Sequence, residues 1–267
     1  MALYHVTFAA RRRAVLFPTE AHQRAAVRCL ARTVGDKLAL FNAMDEHGHT
    51  TVEEEEKKLA RLEAKLKAAL SAVSAEPIVV TWEERVEDPK HARSLVRYDV
   101  TQTVHHETGV HPALQSGSCA HELLGTRWVP GFALRTELVG RPSEATILGH
   151  LGLSQRPLVP VTDEQVRELG ACRLRAAVTA ALAVGPRLDG RSAPVVLARR
   201  VTAQMAVAAG IARSEIAHAL EVHPNSLWHM LLRPVPVDVV VAVRMRLALE
   251  QAVAAATGCT FRLCRRR

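Results

Sequence analysis

Strand-like and helix-like segments alternate along the N-terminal part of the chain. Residues 3–8 alternate apolar and polar side chains, as a half-buried strand does, whereas the charged segment 53–74 carries one stripe of leucines at helical spacing. Segments of these two kinds follow one another as strands over 3–8, 38–52 and 77–87 and helices over 19–38, 53–74 and 88–106. This order predicts an α+β fold in which helices cover a small sheet.

Two histidines share one face of the second predicted strand. In a single strand over 38–52, side chains of equal parity point to the same side. That set contains Phe41, Ala43, Asp45, His47 and His49. The pattern therefore places the two imidazoles side by side.

The C-terminal part of the chain has an almost wholly helical pattern. Residues 110–160 contain short amphipathic pieces with many Gly and Pro residues, and the Pro-rich end of that stretch indicates a linker over 156–161. We therefore predict one domain over 1–155 and an all-α domain over 162–267.

Within this helical part, two short helices are joined by a tight turn. The first covers 213–220, where Ser214 is placed to cap it, and the second begins at Pro224, which suits a first helical turn. Such a pair is typical of a helix-turn-helix, whose second helix lies in the major groove of DNA. The alternative is two packed helices of an ordinary all-α domain, because Glu221 stands where the turn glycine is usual.

The excess of positive charge lies in the C-terminal part. The chain has 35 basic and 27 acidic residues; residues 1–160 hold 20 and 19 of them, which leaves 15 and 8 for residues 161–267. Every basic residue after 160 is arginine, which suits contacts to phosphate oxygens, and the chain ends in a basic tail over 262–267. The residues expected to contact DNA are Arg11, Arg12, Arg13, Arg213, Asn225, Ser226, His229 and Arg233.

The remaining composition excludes several classes of protein. The five cysteines are scattered and never form a CxxC pair, which argues against a disulfide framework or a structural zinc site. No apolar run approaches the roughly 20 residues that span a bilayer, and the N-terminus lacks the apolar core of a signal peptide. A cytoplasmic protein is expected.

Several short pieces of residues 1–150 together resemble a known family, the REP-associated tyrosine transposases, a branch of the HUH single-strand endonucleases and transposases. The pieces are the strand Tyr4-His5-Val6-Thr7 with arginines after it, Leu16-Phe17-Pro18, the run Met44-Asp45-Glu46-His47-Gly48-His49, Arg97-Tyr98 with Gln102 four residues on, and Leu123-Leu124-Gly125.

The resemblance implies a fold and a reaction. The fold is a ferredoxin-like antiparallel sheet with covering helices. His47, His49 and the carboxamide of Gln102 would hold a divalent cation, Mg²⁺ or Mn²⁺, with Asp45 assisting through water. Tyr98 would attack a phosphodiester of hairpin-forming single-stranded DNA and form a 5′-phosphotyrosine, while the helical domain would bind duplex DNA.

This chain also departs from the family pattern. Gly48 replaces the bulky apolar residue that usually separates the two histidines, and Gln102-Thr103 stands where Asn-Pro is usual. A glycine weakens a strand and loosens the geometry of ligands on it. Two alternatives to an active transposase therefore stay open: a DNA-binding descendant that no longer cuts, and an RNA-binding or scaffold protein that reuses the fold.

Overall fold

The computed structural model describes residues 1–11, 14–105 and 109–258. The described strands are β1 (Ala2–Ala10), β2 (Leu38–Ala43), β3 (His47–Glu54) and β4 (Ile78–Arg85). The helices are α1 (Glu20–Val34), α2 (Glu56–Ser71), α3 (Pro89–His105), α4 (Ala120–Leu123), α5 (Glu144–His150), α6 (Asp163–Ala181), α7 (Ala193–Ala208), α8 (Arg213–Leu220), α9 (Ser226–Leu231) and α10 (Val237–Thr257). The predicted α+β class is confirmed.

The four described strands form one antiparallel sheet in the order β2-β3-β1-β4. β1 lies inside the sheet, and its alternating side chains sort as the sequence predicted. Tyr4, Val6 and Phe8 are buried in the hydrophobic core, whereas His5 and Thr7 on the opposite face are only partly buried. One face of the sheet is therefore apolar, and the other face can hold polar functional side chains.

The prediction of one strand over 38–52 is wrong, because this segment is a hairpin. β2 ends at Ala43, the chain reverses at residues 44–46, and the Met44 amide donates to the carbonyl of His47. Ala43 pairs with Gly48 across the hairpin, so Phe41 and Ala43 point to the face opposite the histidines. His47 and His49 both belong to β3 and do share a face.

Helices cover both faces of the sheet. α1 and α2 pack together on the apolar face, where the predicted leucine stripe of α2, formed by Leu59, Leu62, Leu66 and Leu70, is buried. α1 begins at its predicted cap, Thr19, but ends at Val34 before Gly35, earlier than expected. α3 lies on the opposite face, over the histidines.

Two carboxyl groups meet where α2 packs on β4. The buried Oε1 of Glu63 has no hydrogen-bond partner among the described residues, and the neighbouring group is the carboxylate of Glu83. Burial first, and Glu83 second, raise the pKa of Glu63 to about 7. Between its ordinary pKa and this raised value the folded chain binds more protons than the unfolded chain, so stability falls as pH rises through that window.

We therefore expect Glu63→Gln to raise the melting temperature at about pH 8 and to leave it unchanged near pH 4. Thermal unfolding followed by circular dichroism at both pH values measures this difference. Glu83→Gln removes only the repulsion and leaves the cost of burying the Glu63 carboxylate, so it should gain less, and the double variant should gain no more than Glu63→Gln alone. A gain of equal size at both pH values would contradict the proposed cause.

A second cluster of buried side chains is built by α6 to α10. It begins at Val161, whereas the N-terminal residues of the cluster around the sheet extend only to Leu153. The boundary between the two clusters therefore falls at the predicted linker. Thr162 caps α6 through a reciprocal pair of hydrogen bonds with Gln165. The division into two domains stays a prediction.

Buried charged side chains join the two clusters. Arg24 of α1 donates to the carbonyl of Val184 at 3.0 Å, and Arg246 of α10 contacts the ring of His121 at 3.1 Å and pairs with Glu250 at 2.9 Å. Burial first, and Arg246 second, hold the pKa of His121 well below its ordinary value. The ring is therefore neutral and can accept from the guanidinium.

Cys29 and Cys119 are buried free thiols and Cys172 is exposed, whereas Cys259 and Cys264 lie outside the described residues. No helix within the described ranges has the length and apolar character needed to cross a membrane.

Candidate functional site

A row of paired residues crosses the polar face of the sheet. Asn42 pairs with His49, His49 with Thr7, and Thr7 with Trp82. Because residues opposite one another in an antiparallel sheet project to the same side, these four side chains form a line beneath and beside α3. His49 lies on β3, with Thr7 as its neighbour on one side and Asn42 on the other.

His49 is held at both ring nitrogens. Its side chain is only 4% exposed; Nδ1 lies 3.1 Å from Oγ1 of Thr7, and Nε2 lies 3.4 Å from the hydroxyl oxygen of Tyr98. In the tautomer that carries its hydrogen on Nδ1, this nitrogen donates to Thr7 and the lone pair of Nε2 is directed at Tyr98. Histidines that bind metals are oriented in the same way, by a hydrogen bond from the ring nitrogen that does not bind the ion.

Four of the residues predicted to form one site line one cavity of about 980 Å³, namely His47, His49, Tyr98 and Gln102. His47 and His49 have ring centroids 4.8 Å apart, and Gln102 follows Tyr98 by one turn of α3. Gln102 is 2% exposed, and its Nε2 has no hydrogen-bond partner among the described residues. Tyr98 is 41% exposed, and its side chain forms part of the cavity wall.

The two imidazoles and Gln102 fit a divalent cation. A histidine nitrogen binds a metal at about 2.0–2.1 Å, so rings with centroids 4.8 Å apart can both direct a nitrogen at one ion. An amide oxygen adds the harder ligand type that Mg²⁺ and Mn²⁺ prefer. Within the described ranges, no group of three His, Cys, Asp or Glu side chains is placed to hold a metal.

Asn42 ties α3 to the sheet beside this site, a contact that the sequence did not reveal. Its side-chain amide donates to the backbone carbonyl of Asp99, the residue after Tyr98. The Asp99 carboxyl is fully buried without a hydrogen-bond partner in the described part of the chain, and burial raises its pKa to about 8. Asp99 is therefore mostly protonated at neutral pH, which lets this turn of α3 pack on the sheet without a buried charge.

Gly48 is required by a neighbouring ring and does not loosen the strand. A Cβ at this position would lie 2.2 Å from Cζ of Phe8, its partner on β1, and 2.8 Å from the carbonyl oxygen of Asn42. The ring of Phe8 is 2% exposed and covers the glycine. At this point β3 pairs with β1 on one side and with β2 on the other, so the strand that carries the two histidines is regular.

The predicted assisting carboxylate lies elsewhere. Asp45 is in the turn between β2 and β3, and its Oδ1 accepts a hydrogen bond from Gln23 at 2.9 Å. It does not line the cavity, because the hairpin turn carries it off the histidine face. Arg11 is exposed and also outside the cavity wall, whereas Arg12 and Arg13 lie outside the described residues.

Other side chains that line the cavity were not predicted. Most come from β1, β4 and α3 and include His5, Trp82, Glu84, His91, Ser94 and Arg97, and Glu46 of the turn between β2 and β3 also lines the wall. His5 packs edge-on against Tyr98, with centroids 5.9 Å apart. The alternation of β1 places His5 and Thr7 on the polar face of the sheet, so the sequence pattern could have predicted that these two residues face the site. For β4 and α3 only the tertiary packing brings the side chains to the site.

The predicted helix-turn-helix segments form two helices with shifted boundaries. Ala212, not Ser214, precedes α8 and makes no side-chain cap, and α9 begins at Ser226, after Pro224. Glu221 adopts the left-handed conformation, φ 55°, that the turn requires and that glycine usually supplies. The candidate DNA contacts Arg213, Asn225, His229 and Arg233 are exposed, and Ser226 is partly buried.

Comparison with known proteins found one distant likeness. No family model and no curated protein matches the chain. The chain is similar to a solved structure described as a REP-associated tyrosine transposase bound to a REP hairpin, with 20% identity over 42% of this chain and 72% of that chain and a TM-score of 0.34. This is a distant relationship at most. Evidence for the function therefore has to come from the residues of the cavity.

Proposed function

We propose that this chain is a DNA-processing protein of the transposase type, whose N-terminal part cuts and rejoins single-stranded DNA through Tyr98. The observation that carries the proposal is the hydroxyl of the partly exposed Tyr98, 3.4 Å from Nε2 of His49 in a cavity shared with His47 and Gln102. The element order β-α-β-β-α-β with strand order β2-β3-β1-β4 supports a ferredoxin-like assignment for this part.

Tyr98 acts as the nucleophile in this proposal. Its oxygen bonds to phosphorus while the bond from phosphorus to the 3′-oxygen breaks; the phenolic proton passes to water in the open cavity, and the 3′-oxygen takes up a proton. The products are a 5′-phosphotyrosine and a free 3′-hydroxyl. Attack by another 3′-hydroxyl reverses the step and joins a new strand without ATP.

The side chains around Tyr98 have two further roles in this proposal, metal binding and positioning. His47, His49 and Oε1 of Gln102 are the proposed ligands of Mg²⁺ or Mn²⁺, which would draw charge from a phosphate oxygen as a Lewis acid. Thr7 fixes the ring of His49, and Asn42 fixes the turn of α3 that carries Tyr98. Asp45 is left out of this ligand set because Gln23 holds its carboxylate elsewhere.

The test is a covalent adduct between the full chain and a single-stranded hairpin oligonucleotide in Mn²⁺ or Mg²⁺. Because the tyrosine would keep the 5′-phosphate side, a label at the 3′ end must stay with the denatured protein and a label at the 5′ end must be released. Peptide mapping must place the nucleotide on Tyr98. Absence of any adduct across a broad set of hairpins would overturn the cutting reaction.

We also propose that α8 and α9 bind duplex DNA, with α9 in the major groove and Arg213, Asn225, Ser226, His229 and Arg233 as contacts. The exposed side chains of this pair and the arginine-only basicity of the C-terminal part support the proposal. Arginines that contact phosphate release counterions on binding, so the affinity falls steeply with salt.

Replacing Arg213 and Arg233 together by alanine is therefore expected to weaken binding to a blunt duplex and to lower its salt slope by about 1 for each phosphate that is no longer neutralised. Titrations of the full chain at several salt concentrations measure the slope. Arg167→Ala in α6, also an exposed arginine, is the matched control and should leave the slope unchanged. An unchanged slope in the double variant would count against the α8 and α9 surface.

A further inference from the structure

Trp82 is an exposed aromatic ring at the edge of the candidate active site. Its side chain is 62% exposed, although it lies on a strand and forms part of the cavity wall. β4 is an edge strand, and Trp82 pairs with Thr7, which in turn pairs with His49. Strands lie about 4.8 Å apart, so Trp82 is about 10 Å from His49 along this row. The phosphate, sugar and base of one nucleotide together span such a distance.

The charges of the cavity walls differ between its two sides. α3 contributes His91 and Arg97, which can donate hydrogen bonds to a phosphate, whereas the Ser94 hydroxyl donates to the carbonyl of His91. The side of Trp82 carries the carboxylate of Glu84, two residues along β4 on the same face. A phosphodiester backbone is therefore attracted to the wall formed by α3 and repelled from the wall formed by β4. The uncharged part of a nucleotide, its base, fits on the β4 side.

We propose that Trp82 is a stacking platform for an unpaired base adjacent to the phosphodiester that Tyr98 attacks; this inference rests on the proposed function. Stacking on an aromatic side chain tolerates any base, because every base has a π face. Trp82 thus selects single-stranded over paired DNA, since a base within a duplex cannot turn its face to the ring. Its role is to position the substrate and not to take part in the reaction.

The test measures binding of a mixed-sequence single-stranded oligonucleotide, and of a fully abasic oligonucleotide of the same length, to the full chain. Trp82→Ala should bind the intact oligonucleotide roughly tenfold more weakly, and Trp82→Phe should restore most of the affinity. Neither change should alter binding of the abasic oligonucleotide, which keeps the phosphates. Tryptophan fluorescence should be quenched by the intact oligonucleotide in the wild type, and the quenching should be much smaller in Trp82→Phe.

Trp128 supplies the control, because it is partly buried against the C-terminal cluster and lines neither the cavity nor the α8 and α9 surface. Trp128→Phe should keep both the affinity and the quenching. Equal affinities of wild type and Trp82→Ala for the intact oligonucleotide would overturn the stacking role while leaving the proposed function standing, and so would an equal loss on the abasic one. If the wild type bound no single-stranded DNA, both proposals would fail together.

Discussion

Replacing Tyr98 by phenylalanine is expected to abolish the covalent protein–DNA adduct. The ring and its packing against His5 and His49 stay, so only the nucleophilic oxygen is removed. Removing a nucleophile costs on the order of a thousandfold or more in rate. The measurement is the yield of 3′-labelled adduct after denaturation, together with the affinity for the same hairpin, which should be unchanged.

Tyr4 is the matched control for this substitution, because the chain has two tyrosines. Tyr4 is 5% exposed and points to the apolar face of the sheet, away from the cavity. Tyr4→Phe should therefore keep the adduct at close to the wild-type yield. An adduct that persists in Tyr98→Phe and maps to another residue would show that the nucleophile has been misassigned.

A side chain at position 48 is expected to destabilise the fold strongly. Gly48→Val places carbon atoms where the ring of Phe8 lies, at a Cβ distance of 2.2 Å, inside a buried part of the sheet. Overpacking of this kind costs about 1–3 kcal/mol or more. The free energy of unfolding in urea, with an unchanged slope against denaturant, measures the loss.

The cause can be separated from a general intolerance of β3 by a double-mutant cycle with Phe8→Ala. Phe8→Ala alone leaves a cavity and should cost about 3–5 kcal/mol. In the double variant the valine fills part of the space that the ring vacates, so the total loss should be smaller than the two single losses added together. Additive losses would mean that the ring of Phe8 is not what requires glycine at position 48.

Much of the local structure could be predicted because its causes lie within a few residues. The leucine stripe of α2, the Thr19 cap of α1 and the alternation of β1 each depend on side-chain spacing along one element, and all three occur as expected. The boundaries of α8 and α9 were less accurate, because Ser214 and Pro224 are compatible with a helix start but neither is used as one.

The hairpin at residues 44–46 shows why the second strand was mispredicted. Parity along one strand cannot detect a reversal, and the tight turn contains no glycine or proline to mark it. The histidine pair kept its shared face because both members lie after the turn. Asp45, which lies in the turn itself, was carried away from the site that parity assigned to it.

The sequence by itself determined the α+β class, the β1 pattern, the pairing of His47 with His49 and the helix that presents Tyr98 and Gln102, because each depends on periodicity within one segment. Only the tertiary structure decided that these groups share a cavity, that Thr7 and Asn42 position them, and that Phe8 requires Gly48. Those contacts join strands and helices far apart in the chain, and strand register, which no single segment encodes, brings them together.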